Sequence, residues 1–209
     1  VLFSYVFLFE YLPPLRSVHI PYDLEGYHHS LADYAFQQLK QGRWPQWDPS
    51  IYSGMSFASN VQSALYYPGT LLMFLVTWGR ERLSYQSLTD LQLLHVPLAF
   101  TLCFVWLRRK GLLDMAAVLG AAVFAFSGYL MIQLQHLGLV VAYAWMPLCL
   151  IGVDDAVLRK SCRPLWKVAV GSALAFLGGY PPSWLVVALV VGVYALASPG
   201  RWRIAPGVL

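Results

Sequence analysis

Few side chains in this sequence are suited to acid–base chemistry, and five of the acidic ones, Asp23, Glu25, Asp33, Asp48 and Glu81, lie in one long polar segment. Asp23 stands out among them because it closely follows a first apolar run, where the headgroup of a membrane lipid would arrive. The alternative is that Asp23 is the N-cap of a helix over 24–41, a common role for aspartate. Spacing alone favours the cap. Asp33 is then predicted to be a solvated helix residue, and Asp48 a turn former before Pro49.

Histidine is the second candidate chemistry. His28 and His29 are adjacent, so on a helix they point about 100° apart and cannot face the same metal ion. Each is predicted to be a surface or interface residue. His136 lies in the short turn QLQHLG, where Gln133 and Gln135 make a polar spot that could face the same surface as Asp23. The simpler interpretation is a turn residue. No fingerprint of a hydrolase, zinc protease or nucleotide-binding loop occurs.

The elements that must position these residues are membrane helices. Of the 209 residues, 58% are hydrophobic and only 11% are charged, with a mean hydropathy of +0.57. Soluble domains carry about a quarter charged residues.

The three cysteines form no CxxC motif or Cys/His cluster, which argues against a disulfide framework or a zinc site. No aromatic-interleaved basic stripe occurs, so a nucleic-acid partner is not expected. The first apolar run is already under way at Val1, which predicts a piece of a longer protein.

Apolar runs approaching span length predict an all-α integral membrane protein, a polytopic bundle of about six helices. The spans are placed at about 1–15, 88–107, 112–131, 137–153, 168–179 and 184–197. The segment 16–87 is then a large first loop. It carries an amphipathic surface helix over 24–41 and, at 65–78, a run too short to span, which is interpreted as an interfacial helix.

Basic residues predict the orientation of this bundle. With six spans, nine Lys and Arg lie on one side, and the positive-inside rule places loop 16–87 outside the cytoplasm. A seven-span alternative, with 65–78 crossing, would place twelve basic residues inside and two outside. Charge slightly favours that alternative. The shortness of 65–78 and its Pro68-Gly69 pair favour six spans.

The loop also contains the stretch GRWPQWDPSIYSGMSFASNVQSALYYP, residues 42–68, in which Pro, Gly and Asn mark turns between aromatic residues. Together with Asp23-Leu24 and Tyr27-His28, it resembles the YfhO-like bacterial membrane proteins. These are GT-C-fold glycosyltransferases that use polyprenyl-phosphate sugars. Matching positions include G-x-x-P-x-W-D-P from Gly42 and N-x-Q-x-x-x-x-Y-P from Asn60.

Downstream segments follow in the order of that family. They are LRRKGL (107–112), FAFSGYLMIQLQHLGLV (124–140) and AWMPL (144–148). Two departures occur. Residues 53–56 lack one Gly and the Pro of the family's G-G-x-P, and Tyr180 and Pro182 replace a His and a Gln. The resemblance covers nearly all of this chain but only the N-terminal part of the much longer family members.

The resemblance implies an inverting sugar transfer from a polyprenyl-phosphate donor to an envelope glycan, teichoic acid or lipid acceptor. The site would face outward from a bacterial plasma membrane. It makes Asp23 the catalytic base, with a divalent metal (Mg or Mn) or Arg16, Arg43, Arg80 or Arg82 stabilising the leaving phosphate. Substrate-binding candidates are Tyr27, His28, Arg43, Trp47, Asn60, Gln62, Tyr67 and His136. The alternative from the residues alone is a non-enzymatic transporter or lipid-handling scaffold.

Overall fold

A computed structural model describes residues 8–11 and 19–199. The predicted first span, 1–15, falls largely outside these residues. The described chain is mainly helical. Its helices are α1 (His29–Lys40), α2 (Pro68–Val76), α3 (Tyr85–Arg109), α4 (Asp114–Ala125), α5 (Gly128–Ile132), α6 (Leu137–Arg159), α7 (Trp166–Leu177) and α8 (Pro181–Ala197). A π-helical turn, Leu24–His28, leads directly into α1, and single 3₁₀ turns occur at Val61–Ser63, Gln133–Gln135 and Arg163–Leu165.

Three helical segments in the described part are long and apolar enough to cross a membrane: Tyr85–Arg109, Asp114–Gln135 and Leu137–Arg159. They coincide with the predicted spans at 88–107, 112–131 and 137–153. The second is bent between α4 and α5, where the Ser127 hydroxyl accepts a hydrogen bond from the Leu130 amide. The described residues therefore form an all-α membrane bundle with three candidate spanning helices.

Helices also form at the two remaining predicted spans, but they are shorter. α7 has 12 residues, about 18 Å of helix, and α8 has 17, whereas crossing the apolar core takes roughly 20. Both pack against α6. Gly171 of α7 sits so close to it that a Cβ there would lie 2.7 Å from the Cys149 sulfur. Gly171 therefore allows close packing of α7 on α6.

Ion pairs fix which helix ends share one end of the bundle. Arg109 at the end of α3 and Lys167 at the start of α7 both pair with buried Asp155, near the end of α6. Lys110 pairs with the neighbouring Asp154 at 2.7 Å. The basic end is defined by these helix termini and carries Arg108, Arg109, Lys110, Arg159, Lys160, Arg163 and Lys167.

The opposite end, here the loop end, carries the long loop, the start of α3, the turn before α6 and the turn between α7 and α8. In the loop, α1 buries one face and is followed by a two-residue hairpin, in which β1 (Trp47–Asp48) pairs antiparallel with β2 (Met55–Ser56). The short helix α2 forms within the predicted interfacial segment. At nine residues it is too short to cross a bilayer.

Asp33 differs from its prediction as a solvated helix residue. It is not solvated: it is 6% exposed, and its carboxylate accepts hydrogen bonds from the Arg82 guanidinium and, at 2.9 Å, from the Leu83 amide. Burial raises the pKa of Asp33, but these bonds outweigh it and hold the pKa below its ordinary value. The pair ties α1 to the segment that leads into α3. Asp48 does form the predicted turn, accepting bonds from the Ser50 amide and hydroxyl.

Candidate functional site

Asp23 does not act as the helix cap that spacing favoured. It has helical backbone angles, and its side chain makes no capping hydrogen bond. Its Oδ2 atom instead lies 3.1 Å from Nε2 of His136, and the side chain is 57% exposed. The residue before it, Tyr22, has a φ of 67°, a left-handed conformation that is unusual for a bulky residue. This turn delivers Asp23 to the loop end beside α6.

His136 is held on its other side by Gln133. The Nδ1 atom lies 2.7 Å from the Gln133 side-chain oxygen, and that oxygen can only accept a hydrogen bond. If Nδ1–H donates to the Gln133 oxygen, a hydrogen bond between Nε2 and the Asp23 carboxylate requires a second proton, carried on Nε2. If the amide is rotated, Nε2–H donates to Asp23 directly. Either way Oδ2 of Asp23 contacts the imidazole, and the carboxylate side chain is 57% exposed.

His28 lies behind this pair and is buried, whereas the sequence predicted a surface or interface residue. Only 9% of the residue is accessible, and its Nδ1 has no hydrogen-bond partner in the structure. Burial lowers the pKa of His28 to about 4; a hydrogen bond with the Gln62 backbone and the Asp23 charge oppose this only in part. The imidazole is therefore neutral at neutral pH, and its Nδ1 can accept a hydrogen bond or donate one, depending on the tautomer.

Asn60, Gln62 and Tyr27 complete one wall of the site. The Asn60 side chain accepts a hydrogen bond from the Gln62 amide at 3.1 Å and starts the 3₁₀ turn Val61–Ser63. Its amide nitrogen lies 3.4 Å from the Tyr27 hydroxyl. The predicted residues Asp23, Tyr27, His28, Asn60, Gln62 and His136 are thus brought together.

Gly179 is a structural residue of this wall that sequence reasoning did not single out. Its φ is 95°, and a Cβ there would clash with the carbonyl oxygen of Val61. Only glycine allows the α7–α8 turn to approach the 3₁₀ turn this closely. The Gly178-Gly179 pair was the available signal.

Arg43 and Trp47 lie elsewhere. Arg43 follows the C-terminal end of α1, a helix about 18 Å long that begins at the site, and its side chain bonds to Gln38 and Gln41. Trp47 covers Gly54 of the hairpin, where a Cβ would lie 2.6 Å from the indole ring. These two residues shape the loop at a distance from Asp23.

Tyr67 is buried, and both hydrogen-bonding functions of its hydroxyl are already used. The Trp145 indole donates to its oxygen at 3.0 Å, and the hydroxyl lies 2.7 Å from Nε2 of His95. His95 in turn contacts the Leu91 carbonyl through Nδ1 at 2.8 Å. A carbonyl can only accept, so a neutral His95 carries its proton on Nδ1, and its Nε2 accepts a hydrogen bond from the Tyr67 hydroxyl. Tyr67 anchors the loop to α3 and α6.

The positive charge expected at a leaving phosphate is not supplied by the described arginines, because Arg43, Arg80 and Arg82 make no contact with Asp23 or His136. Arg82 is bound to Asp33, and Arg16 lies outside the described residues. Within 8–11 and 19–199, no group of three or more His, Cys, Asp or Glu side chains is placed to hold a metal ion. The divalent metal that the resemblance implies therefore stays a prediction.

Comparison with known proteins adds no assignment, since no protein-family model, curated protein or solved structure matches this chain. The resemblance to YfhO-like proteins rests on the motifs alone.

Proposed function

We propose that this protein is a membrane glycosyltransferase that transfers a sugar from a polyprenyl-phosphate donor to an envelope glycan, teichoic acid or lipid. The observation that carries the proposal is the Asp23 carboxylate. The Asp23 side chain makes no capping hydrogen bond and is 57% exposed. One of its oxygens, Oδ2, contacts His136. A carboxylate that stabilises no helix but is oriented by a second side chain has the arrangement expected of a general base.

In this mechanism the free oxygen of Asp23 takes the proton of an acceptor hydroxyl as the hydroxyl oxygen attacks the anomeric carbon. The bond from that carbon to the lipid phosphate breaks, and the phosphate leaves with the bonding electrons. His136 positions the carboxylate throughout. The neutral His28 offers a buried hydrogen-bonding atom to a sugar or acceptor hydroxyl, and Tyr27, Asn60 and Gln62 are the neighbouring polar contacts.

A lipid donor fits the surface next to the site. An apolar groove of about 370 Å³ runs between α5, α6 and α8 and includes Tyr129, Leu139 and Tyr180. Leu139 is one turn after His136, so the groove begins near the loop end and continues along the candidate spans. A prenyl chain in this groove would present its phosphate near Asp23.

The distribution of charge supports an extracytoplasmic site. Seven basic residues gather at the basic end, whereas Asp23 and His136 lie at the loop end. By the positive-inside rule the basic end faces the cytoplasm. We therefore place loop 16–87 outside a bacterial plasma membrane and retain the six-span arrangement, with α7 and α8 as its last two spans.

The test is complementation with full-length protein. Cells that lack the gene receive wild-type protein, Asp23→Asn or the control Glu25→Gln, a neighbouring exposed carboxylate that faces His19. Envelope polymers are then hydrolysed and their sugars quantified. Asp23→Asn should abolish the sugar that the wild-type protein adds, at equal membrane abundance, and Glu25→Gln should retain it. Unchanged sugar content with Asp23→Asn would refute the role of Asp23.

A further inference from the structure

The corner between α6 and α7, residues 158–166, carries three cations that have no acidic partner. Arg159, Lys160 and Arg163 are exposed, and none of them forms an ion pair or side-chain hydrogen bond in the described chain. The nearby acids are already paired: Asp114 with Arg108, Asp154 with Lys110, and Asp155 with Arg109 and Lys167. The corner therefore keeps an uncompensated positive charge.

The same corner exposes large apolar side chains next to these cations. Leu158 is 79% accessible, Trp166 59% and Leu165 37%. In water, this surface would be unfavourable. At the boundary of a bilayer the apolar groups enter the acyl region, and the cations and the indole ring remain at headgroup level.

Lys160 occupies a position where glycine is ordinarily preferred. Its φ is 50°, and the amides of Lys160 and Ser161 close α6 by bonding to Val157 and Ala156, respectively, which is a Schellman motif. A residue with a Cβ costs about 1 kcal/mol in this conformation. Lys160 thus lies at a strained turn where the chain changes direction, and Arg159 and Arg163 lie on either side of it.

We propose that the 158–166 corner is a binding site for the headgroups of anionic phospholipids. The phosphate of such a lipid supplies the missing negative charge, and its acyl chains cover Leu158 and Trp166. An acidic protein segment would satisfy the cations but leave the apolar side chains in water. This proposal is independent of the glycosyltransferase assignment and of the side of the membrane that the corner faces.

The experiment compares two triple variants of the whole chain in detergent, each losing three positive charges. The first is Arg159→Gln/Lys160→Gly/Arg163→Gln, in which glycine preserves the turn. The control is Lys40→Gln/Arg43→Gln/Arg80→Gln in the long loop. Binding of dioleoyl phosphatidylglycerol and dioleoyl phosphatidylcholine is measured by native mass spectrometry at low ionic strength. Thermal unfolding of each variant confirms that it is folded.

The corner variant should lose at least about tenfold in affinity for phosphatidylglycerol, since each basic residue at an anionic surface contributes about a fivefold effect and exposed charges are partly screened. The control variant should bind it as the wild type does, and neither variant should change its binding of phosphatidylcholine. Equal phosphatidylglycerol affinity in the two variants, or an equal loss for both lipids in the corner variant, would overturn the proposal.

Discussion

The hydrogen-bonded group formed by Tyr67, His95 and Trp145 gives a sharp test of how the loop is held on the membrane bundle. Replacing Tyr67 by phenylalanine keeps the ring and removes only the hydroxyl. Tyr67 is 3% and His95 3% exposed, so water cannot readily replace the lost partner of the His95 Nε2. The Trp145 N–H loses its acceptor in the same step.

The expected magnitude follows from the groups left behind. A buried polar atom without a partner costs about 1–3 kcal/mol. His95 supplies one such atom, and Trp145, which is only partly buried, supplies a second at the low end of that range. Hydrogen bonds in membrane proteins average only about 0.6 kcal/mol when the unfolded state finds other partners. We expect Tyr67→Phe to lower the free energy of unfolding by about 2 kcal/mol.

The assay is unfolding by SDS in mixed micelles, followed by circular dichroism. Tyr66→Phe is the matched control, because the neighbouring tyrosine is 48% exposed and its hydroxyl has no partner among the described residues. The second variant, Tyr67→Phe/His95→Leu, should recover part of the loss, since it removes the orphaned nitrogen. A change below about 0.5 kcal/mol for Tyr67→Phe, or one equal to that of Tyr66→Phe, would show that the group does not anchor the loop.

Three further predictions concern the loop end and the orientation. Gly179→Ala should destabilise the protein by about 2–4 kcal/mol through clash and strain, whereas Gly192→Ala, in open space on α8, should be neutral or stabilising; equal thermal midpoints would contradict this. Because folding lowers the pKa of Asp33, its stabilisation is complete above the unfolded pKa near 4 and lost as pH falls through the folded pKa, so Asp33→Asn should unfold with less acid dependence; an unchanged pH profile would refute it. A membrane-impermeant maleimide should reach Tyr52→Cys in intact cells but the exposed Cys162 only after lysis, and the reverse order would invert the proposed orientation.

The lengths of the hydrophobic runs predicted much of the fold, because a helix needs about 20 apolar residues to cross a bilayer. The segments 88–107, 112–131 and 137–153 each contain enough apolar residues to fix a helix, and the structure has helices there. The same rule also placed helices at 168–179 and 184–197, close to α7 and α8, but it did not predict the turn between them at Gly178-Gly179. Glycine is required at 179 by the close approach to the Val61 carbonyl in the distant 3₁₀ turn, a contact that no local pattern contains.

The members of the candidate site were predictable, but their contacts were not. Spacing assigned Asp23 to a cap and His136 to a turn, whereas the resemblance implies a catalytic base and a substrate-binding residue. Only the fold brings these distant residues within 3.1 Å. His28 was expected at the surface because a histidine beside another histidine gives no signal of burial. Tyr67 was expected at the substrate, whereas its hydroxyl bonds to two residues outside the motif.

Some of the positions that break local rules lie at the two sites proposed for this protein, and others, such as Tyr52 and Ser53, lie in the hairpin. Tyr22 and Ala64 adopt left-handed conformations next to Asp23 and Gly179, and the buried His28 has an unsatisfied nitrogen. Lys160 is similarly left-handed at the opposite end. Such features cost stability and persist only where the surrounding structure imposes them, which is typical of functional sites. At the loop end the Nδ1 atom of His28 has no partner among the described residues, and at the basic end three cations have no acidic partner. The two ends are therefore suited to chemically different partners: a hydroxyl-bearing substrate near Asp23 and an anionic headgroup near Lys160.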